Sequence, residues 1–410
     1  MSQIPAEPTV GTLALQCLRS HKRILLLQGP VGGFFSALHD ALRASGSEVF
    51  KINFNGGDEF FYRRSPQTRY TGSLEDWPAW LERFIRQHGI EAFALLGEWR
   101  AYHRAAWHVA ERMGVRVYVF EEGYLRPNYI TLEPHGVNGS SLVPREASYY
   151  RELPLRAKAE PRHVDHRFLR VAIYAMLYYL ACFFARGHYP FYIHHRPLNP
   201  LTEGWAWLRS GYRKLLYKWT ERRHRDVGYF LSIHKKYFLV PLQVHIDSQV
   251  KYQSRFESVG DFIVEIVESF ARHAPVDNRL VIKHHPMDRG YTDYARLVKS
   301  LAEKWALGDR LIYVHDTHLP SLLKHARGVV TINSTVGLSA FYHQTPVKLL
   351  GKAVYDVPGL VYAGCLEHFW QNPGEVDEDL FLRFKRELIN TTQLNAGFYV
   401  PSSYDEIFLK

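Results

Sequence analysis

Short apolar runs and amphipathic stretches alternate along most of the chain, so strands and helices are expected in turn. Ile24–Leu27 is the first run. The glycine turn Gln28-Gly29-Pro30-Val31-Gly32-Gly33 then leads into a helix over Phe34–Ala44, which Gly46 ends. Val49–Phe54 reads as the next strand, closing a βαβ unit. The polar loop Asn55-Gly56-Gly57-Asp58 precedes a helix carrying Trp77, Trp80, Leu81 and Phe84. Strand Ala92–Leu96, helix Ala101–Met113 and strand Val115–Phe120 follow. This order implies a parallel, doubly wound sheet.

The alternation resumes late in the chain. Strands are expected at Tyr237–Val244, Leu280–Ile282, Arg310–Val314, Gly328–Ile332 and Pro346–Leu350. Helices are expected between them, at Phe262–His273, Asp293–Trp305, Pro320–His325 and Leu338–Tyr342, with a helical tail at Leu380–Ile389. The expected architecture is α/β of GT-B type, with Rossmann-like halves at 1–150 and 237–375 facing a cleft. A separate helical segment at 151–236 lies between them, and a tail at 376–410 packs back on the first half.

That middle segment breaks the pattern. Pro144–Pro161 turns to charge, proline and tyrosine, which suits a linker. Val171–Ala185 is a run of fifteen uncharged residues between Arg170 and Arg186. As a helix it spans about 22 Å, short of the roughly 30 Å hydrocarbon core, so it is not expected to cross a membrane. Beyond it Trp205, Trp207, Leu208, Tyr212, Leu215, Leu216 and Trp219 interleave with Arg209, Arg213, Lys214, Lys218, Arg222 and Arg223. Charge sharpens the reading. The chain carries a net +10, and between Asp165 and Lys236 13 Lys+Arg stand against 4 Asp+Glu, with 16 of the 59 aromatic residues. Excess charge in one aromatic-rich segment points to an anionic membrane surface as its partner. A buried hairpin bridging the halves is the alternative. A nucleic-acid partner is not expected, because no recognisable module accompanies the basic balance. The three cysteines, Cys17, Cys182 and Cys365, form no disulfide framework, and the run Thr12–Leu18 is too short for a signal peptide, so a cytoplasmic chain is expected.

Candidate chemistry collects where strands end. Lys283, His284, His285 and Pro286 follow the apolar run Leu280–Ile282, and Asn333-Ser334-Thr335-Val336-Gly337 turns from a strand into a helix. Anionic ligands bind at such strand ends and helix starts, so the two together suggest a nucleotide site with a basic floor. A plain turn and a helix cap are the alternatives. Glu121 and Glu122 follow another buried run, as exposed strand-end acids or as a general base. The early glycines match neither a P-loop nor a dinucleotide fingerprint, leaving a tight turn or close approach to a ligand. Gly29, Asp58 and Arg126 are the candidates for an acceptor side. No metal is expected. His245, His284, His285, His315 and His318 are irregularly spaced among basic neighbours, and Asp377-Glu378-Asp379 reads as a solvated acidic stretch.

The stretches LLLQGPVGGFF, NFNGGDEF, FEEGYLRPNYITLE, Leu242–Gln249, VIKHHPMDRG and TINSTVG resemble the KpsS-type capsule proteins, the β-Kdo transferases of Gram-negative capsule assembly. The likeness runs from about Arg23 to Tyr399. It implies CMP-Kdo as donor, a lyso-phosphatidylglycerol acceptor, other capsule assembly proteins as partners, and work at the cytoplasmic face of the inner membrane. It implies retention through a covalent enzyme–sugar adduct. By this resemblance the nucleophile falls on Asp247, the base on Glu121 or Glu122, and the His-Pro motif on His285-Pro286. A capping aspartate is the alternative at Asp247. A non-catalytic membrane adaptor in capsule export and a transferase for another CMP-sugar are the rival functions.

Overall fold

The computed structural model describes residues 12–154, 161–194, 200–222 and 227–408. Its strands, in chain order, are β1 (Arg23–Leu26), β2 (Glu48–Asn53), β3 (Gln67–Arg69), β4 (Ala92–Leu96), β5 (Arg116–Glu122) and β6 (Ile130–Pro134). Then come β7 (Tyr237–Pro241), β8 (Arg279–Lys283), β9 (Leu311–Val314), β10 (Gly328–Thr331), β11 (Val347–Leu349) and β12 (Gln393–Leu394). They form two sheets, one in each of two α/β units, the organisation of the GT-B type.

The first unit takes in the described residues of Met1–Leu142, Arg156–Pro200 and Arg386–Lys410. Its sheet runs β12-β6-β5-β4-β1-β2-β3. β1 to β5 are parallel, with Leu25 opposite Phe50 on one side and Phe93 on the other. Central strands such as Ile24–Leu26 and Ala92–Leu95 are apolar throughout, because both faces are covered. Gly89 and Gly114, left-handed at φ 60° and 70°, end the helices Trp77–His88 and Ala101–Met113.

The expectation of an all-parallel sheet fails at one edge. β5 continues through Glu121 and Glu122 and turns back into antiparallel β6, pairing Glu121 with Thr131 and Glu122 with Ile130. With no helix to cross over, the chain can only return as a hairpin. The short β12 pairs antiparallel with β6.

The second unit holds the described residues of Val143–Leu155 and Leu201–Lys385. Its parallel sheet runs β11-β10-β7-β8-β9. Phe238, Val240, Ile282 and Val330 from the strands pack with Phe262, Ile266, Phe270 and Trp370 from helices in one core.

The middle segment is not a separate element. Helix Phe168–Phe184 belongs to the first unit and helix Pro200–Thr220 to the second, while the expected cation Arg223 lies outside the described residues. Gly56 and Gly57 let the former helix approach, since a Cβ on Gly57 would strike the Tyr178 ring and one on Gly56 the Ala181 carbonyl. Among the described residues no helix is long and apolar enough to cross a membrane. The expected linker carries a helix, Ala147–Glu152, whose buried Tyr150 stacks edge-on to Phe384 at 5.2 Å, so the first unit's opening stretch ends at Leu142 rather than at 150. The C-terminal boundary falls inside helix Glu378–Thr391, at Arg386, rather than at 376.

Past that boundary the chain completes the first unit's core. Phe34 is fully buried, with ring centroids 5.0 Å from Phe398, 5.3 Å from Tyr404 and 5.4 Å from both Phe120 and Phe408. Phe34→Ala should therefore cost about 3–5 kcal/mol of stability, read as a lowered urea midpoint. A shift below 1 kcal/mol would show that the aromatic cluster does not hold the C-terminal segment.

Candidate functional site

In each sheet the chain works outward from one strand, then returns and works outward the other way. The reversals fall between β1 and β4 in the first sheet and between β7 and β10 in the second. Neighbouring loops diverge there and leave an opening at the carboxyl ends of the strands.

In the second unit that opening is tied by Gln243, just past β7. Its Nε2 donates to Asp247 Oδ2 at 3.0 Å and to Asn333 Oδ1 at 2.9 Å, and its Oε1 accepts from the Asn333 backbone N–H at 3.3 Å. Asn333 Nδ2 donates to the Gln249 carbonyl at 3.0 Å. Asp247 is half-buried and caps helix Ser248–Gln253, its Oδ1 accepting from Gln249 N at 2.9 Å. The capping reading of Asp247 is thus realised, and Oδ2 still points to Gln243.

The expected basic floor is narrower than the sequence suggests. Lys283 is the last residue of β8, 6% exposed, with its Nζ donating to the His315 carbonyl at 2.9 Å. Burial brings its pKa down to about 8, against the pull of Asp316 and Glu221. His284 is 2% exposed, its Nδ1 hydrogen-bonded to the Tyr313 hydroxyl at 2.7 Å, and burial pushes its pKa to about 4, so it is neutral at pH 7. Gly337 is buried because the Tyr355 hydroxyl occupies the place of a Cβ. Lys283, His284, Asn333 and Gly337 therefore shape the site from behind. His285, Pro286, Ser334 and Thr335 keep exposed surface. His285 Nδ1 accepts from Met287 N at 3.2 Å, which opens the turn Pro286–Asp288. Ser334 Oγ accepts from Val336 N at 3.2 Å.

Two residues of this unit escaped the sequence reading. Asp288 has no exposed surface and accepts from His245 N at 2.9 Å, His245 Nδ1 at 2.5 Å and Thr292 Oγ1 at 2.8 Å. It pins the loop after β7 to the loop after β8. The quoted motif contains it, and a carboxylate directly behind a strand end was the available signal. Glu221, buried, accepts from the His315 backbone at 3.0 Å and bonds its ring Nδ1. No local pattern joins residues so far apart in sequence.

In the first unit, carboxylates gather at the ends of β4 and β5. Glu122 N donates to Glu121 Oε1 at 3.0 Å; burial raises the Glu121 pKa and the Glu122 carboxylate adds to the rise, while that N–H bond, Arg100 and Arg126 oppose it. Glu98, also missed although it follows β4 directly, is 7% exposed and accepts from Val137 N at 3.1 Å. Burial lifts its pKa to about 7, with Glu121 adding to the rise. Exposed Arg126 donates to the Gly123 carbonyl at 3.3 Å and stays with this group.

Gly29 and Asp58 do not belong to it. Asp58 accepts from Gln28 Nε2 at 3.1 Å, Gln28 Nε2 also donates to the hydroxyls of Tyr178 (3.0 Å) and Tyr192 (3.1 Å), and Asn55 Nδ2 donates to Tyr178 at 2.8 Å. The remaining hollow, lined by Gly29, Lys51, Gly57, Asp58 and Tyr178, measures about 20 Å³. That holds a water and not an acceptor molecule. Helix Phe168–Phe184 closes the place where these two residues were expected to face a substrate.

A family model described as capsule polysaccharide biosynthesis protein matches residues 91–399. The chain is 41% identical over 386 residues to the capsule polysaccharide export protein KpsS of Escherichia coli, covering 94% of this chain and 99% of that one. It is 42% identical over 395 residues to the capsule polysaccharide modification protein LipB of Neisseria meningitidis serogroup A, covering 93% of each. Among solved structures, the KpsC beta Kdo 2,4 transferase of Thermosulfurimonas dismutans is similar at 14% identity with a TM-score of 0.43, over 89% of this chain and 90% of that one.

Asp288→Asn turns an amide N–H₂ toward donors that need an acceptor, and should cost about 2–3 kcal/mol; an unchanged urea midpoint would remove Asp288 as the pin. Glu98 gives a pH signature. Its folded pKa of about 7 lies above the ordinary 4.5, so its stabilising contribution is whole below 4.5 and is lost as pH rises through 7. Relative to Glu98→Gln, the wild type should lose on the order of 3 kcal/mol across that window. Parallel stability curves for the two proteins from pH 4.5 to 8 would contradict the burial argument.

Proposed function

The chain belongs to the capsule polysaccharide biosynthesis family, and on that premise we propose that it is a retaining glycosyltransferase. It moves β-Kdo from CMP-Kdo to a lyso-phosphatidylglycerol acceptor and starts the linker of a capsular polysaccharide. The observation that carries this reading is Gln243, which holds Asp247 and Asn333 together at the reversal point of the second sheet. A carboxylate beside a set of strand-end donors is what a CMP-sugar requires there.

In this reading His285, Ser334 and Thr335 take the CMP phosphate, while buried Lys283 supplies positive charge from behind. Asp247 attacks the anomeric carbon as the bond to the phosphate oxygen breaks, and CMP leaves with the electron pair. The acceptor hydroxyl then attacks the same carbon, its proton passes to a carboxylate base, and the ester to Asp247 breaks. The base is Glu121 or Glu122, the adjacent carboxylates that close β5.

The acceptor is a lipid, and the first unit has a surface for one. Along helix Phe168–Phe184, Leu169, Ile173, Met176, Leu180 and Phe184 form an exposed apolar stripe, flanked by Arg167 and Arg186. We place the protein peripherally on the anionic inner face of the cytoplasmic membrane, with other capsule assembly proteins. The same stripe, with the word export in the name of the Escherichia coli relative, favours one second reading, a non-catalytic membrane adaptor.

Incubation with CMP-Kdo and a lysophospholipid, followed by mass spectrometry, separates these readings, since an adaptor yields no product. Replacing both Glu121 and Glu122 by Gln should let a Kdo-sized adduct accumulate, mapped to Asp247. Loss of the cap alone costs about 1 kcal/mol and spares chemistry, whereas loss of the nucleophile stops turnover in a folded protein. A fully active Asp247→Ala variant would end the assignment.

A further inference from the structure

Helix Pro200–Thr220 is amphipathic in the reverse sense for a helix packed on a protein. Its polar row faces inward. Arg209 Nε donates to the Gly290 carbonyl at 2.5 Å, and Arg213 Nη1 to the carbonyls of Arg289 at 2.8 Å and Thr292 at 3.1 Å. The Tyr291 hydroxyl donates to Glu203 at 2.6 Å, and the Tyr217 ring lies on His315 at 3.6 Å and 11°. Just beyond the helix, Glu221 holds the backbone and ring of His315. Each of these contacts lands on the loop leaving β8, immediately past His285-Pro286, or on the loop leaving β9. Gly290 permits the approach, since a Cβ there would strike the Ala206 carbonyl.

The opposite row is apolar and open to solvent. Trp205, Leu208, Tyr212, Leu215 and Trp219 recur every three or four residues, and each is between 65% and 70% exposed. A continuous stripe of this kind marks an interaction surface. Its chemistry selects the occupant. Lys214, Lys218 and Arg222 are exposed beside it, the last two lining a hollow with Leu215 and Trp219. From Gly204 to Arg222 the one acid is Glu221, which is buried and engaged with His315. Tryptophans among cations, with no exposed acid, complement an anionic bilayer surface.

We propose that this helix couples membrane contact to the nucleotide site: an anionic bilayer takes up its outer row, and its inner row then steadies the loops after β8 and β9 and tightens CMP binding. The coupling rests on the CMP-sugar reading above. Because coupling between two sites is reciprocal, CMP must tighten membrane binding by the same factor.

The test is CMP affinity of the full chain by calorimetry, alone, with phosphatidylglycerol-containing vesicles and with neutral phosphatidylcholine vesicles. Affinity should rise about fivefold or more with the anionic vesicles only, and CMP should raise partition into those vesicles by the same factor. Leu208→Ser with Leu215→Ser should bring the ratio of affinities with and without vesicles to one, with the far-ultraviolet spectrum and urea midpoint kept as the check on folding. Arg213→Ala should cut the link from the inner side, so that vesicles are still bound but no longer change CMP affinity. CMP affinity that ignores vesicles overturns the coupling and leaves the donor reading standing. Absence of CMP binding in every arm overturns both. Equal tightening by neutral vesicles overturns the anionic partner, and self-association through the stripe without a vesicle effect assigns it to a second copy and overturns the proposal.

Discussion

A single carboxamide, that of Gln243, ties the two strand ends between which the second sheet reverses direction. A parallel sheet puts the carboxyl ends of all its strands on one edge, and at a reversal the loops part. An opening there loses its shape unless something spans it. Gln243 reaches across to Asn333 with its amide nitrogen and its carbonyl, and the same nitrogen also donates to Asp247. Asp288 repeats the device one strand over, joining the loops after β7 and β8 through two hydrogen bonds accepted from His245 and bracing its own loop through a third from Thr292. The functional reading of the second unit depends on these two side chains being satisfied together.

Burial sets the charge states around both openings. Lys283, with a pKa near 8, keeps its proton at pH 7 because Asp316 and Glu221 offset part of the cost of removing an ammonium from water. His284 beside it is neutral, because burial and His315 outweigh the pull of Asp288 and Asp293. Of these two neighbours, only Lys283 carries a positive charge, and it does so from behind the site. At the ends of β4 and β5 the same desolvation acts on acids, so Glu98 and Glu121 hold protons more tightly than a solvated glutamate. Glu98, with a pKa of about 7, is poised to exchange a proton near neutrality.

The two helices between the units' main sequences solve different problems with similar composition. Helix Phe168–Phe184 is apolar along most of its length, and it uses Tyr178 to satisfy Gln28 and Asn55 beneath it. Helix Pro200–Thr220 turns arginines inward onto backbone carbonyls, which suits guanidinium because several donors sit in one rigid plane. Both leave apolar residues outside, where water is a poor neighbour and a bilayer a good one.

Local order was legible from the chain itself. Helices Phe34–Ala44 and Ala101–Met113 and strand Ala92–Leu96 stand where periodicity puts them, because side-chain spacing and the flanking glycines act within a few residues. The polar clusters at 283–286 and 333–335 were legible for the same reason, since an apolar run that stops abruptly marks a strand end. Which of those residues face a ligand was decided only by tertiary structure. Lys283 and His284 are enclosed by His315 and Tyr313 from the neighbouring strand, and Asp58 is closed off by Tyr178 from a helix more than a hundred residues later. The antiparallel β6 and β12 and the division of 151–236 between two units belong with these. A strand end records that a polar group leaves the core. Whether it meets water, a ligand or another side chain depends on elements that local spacing does not encode.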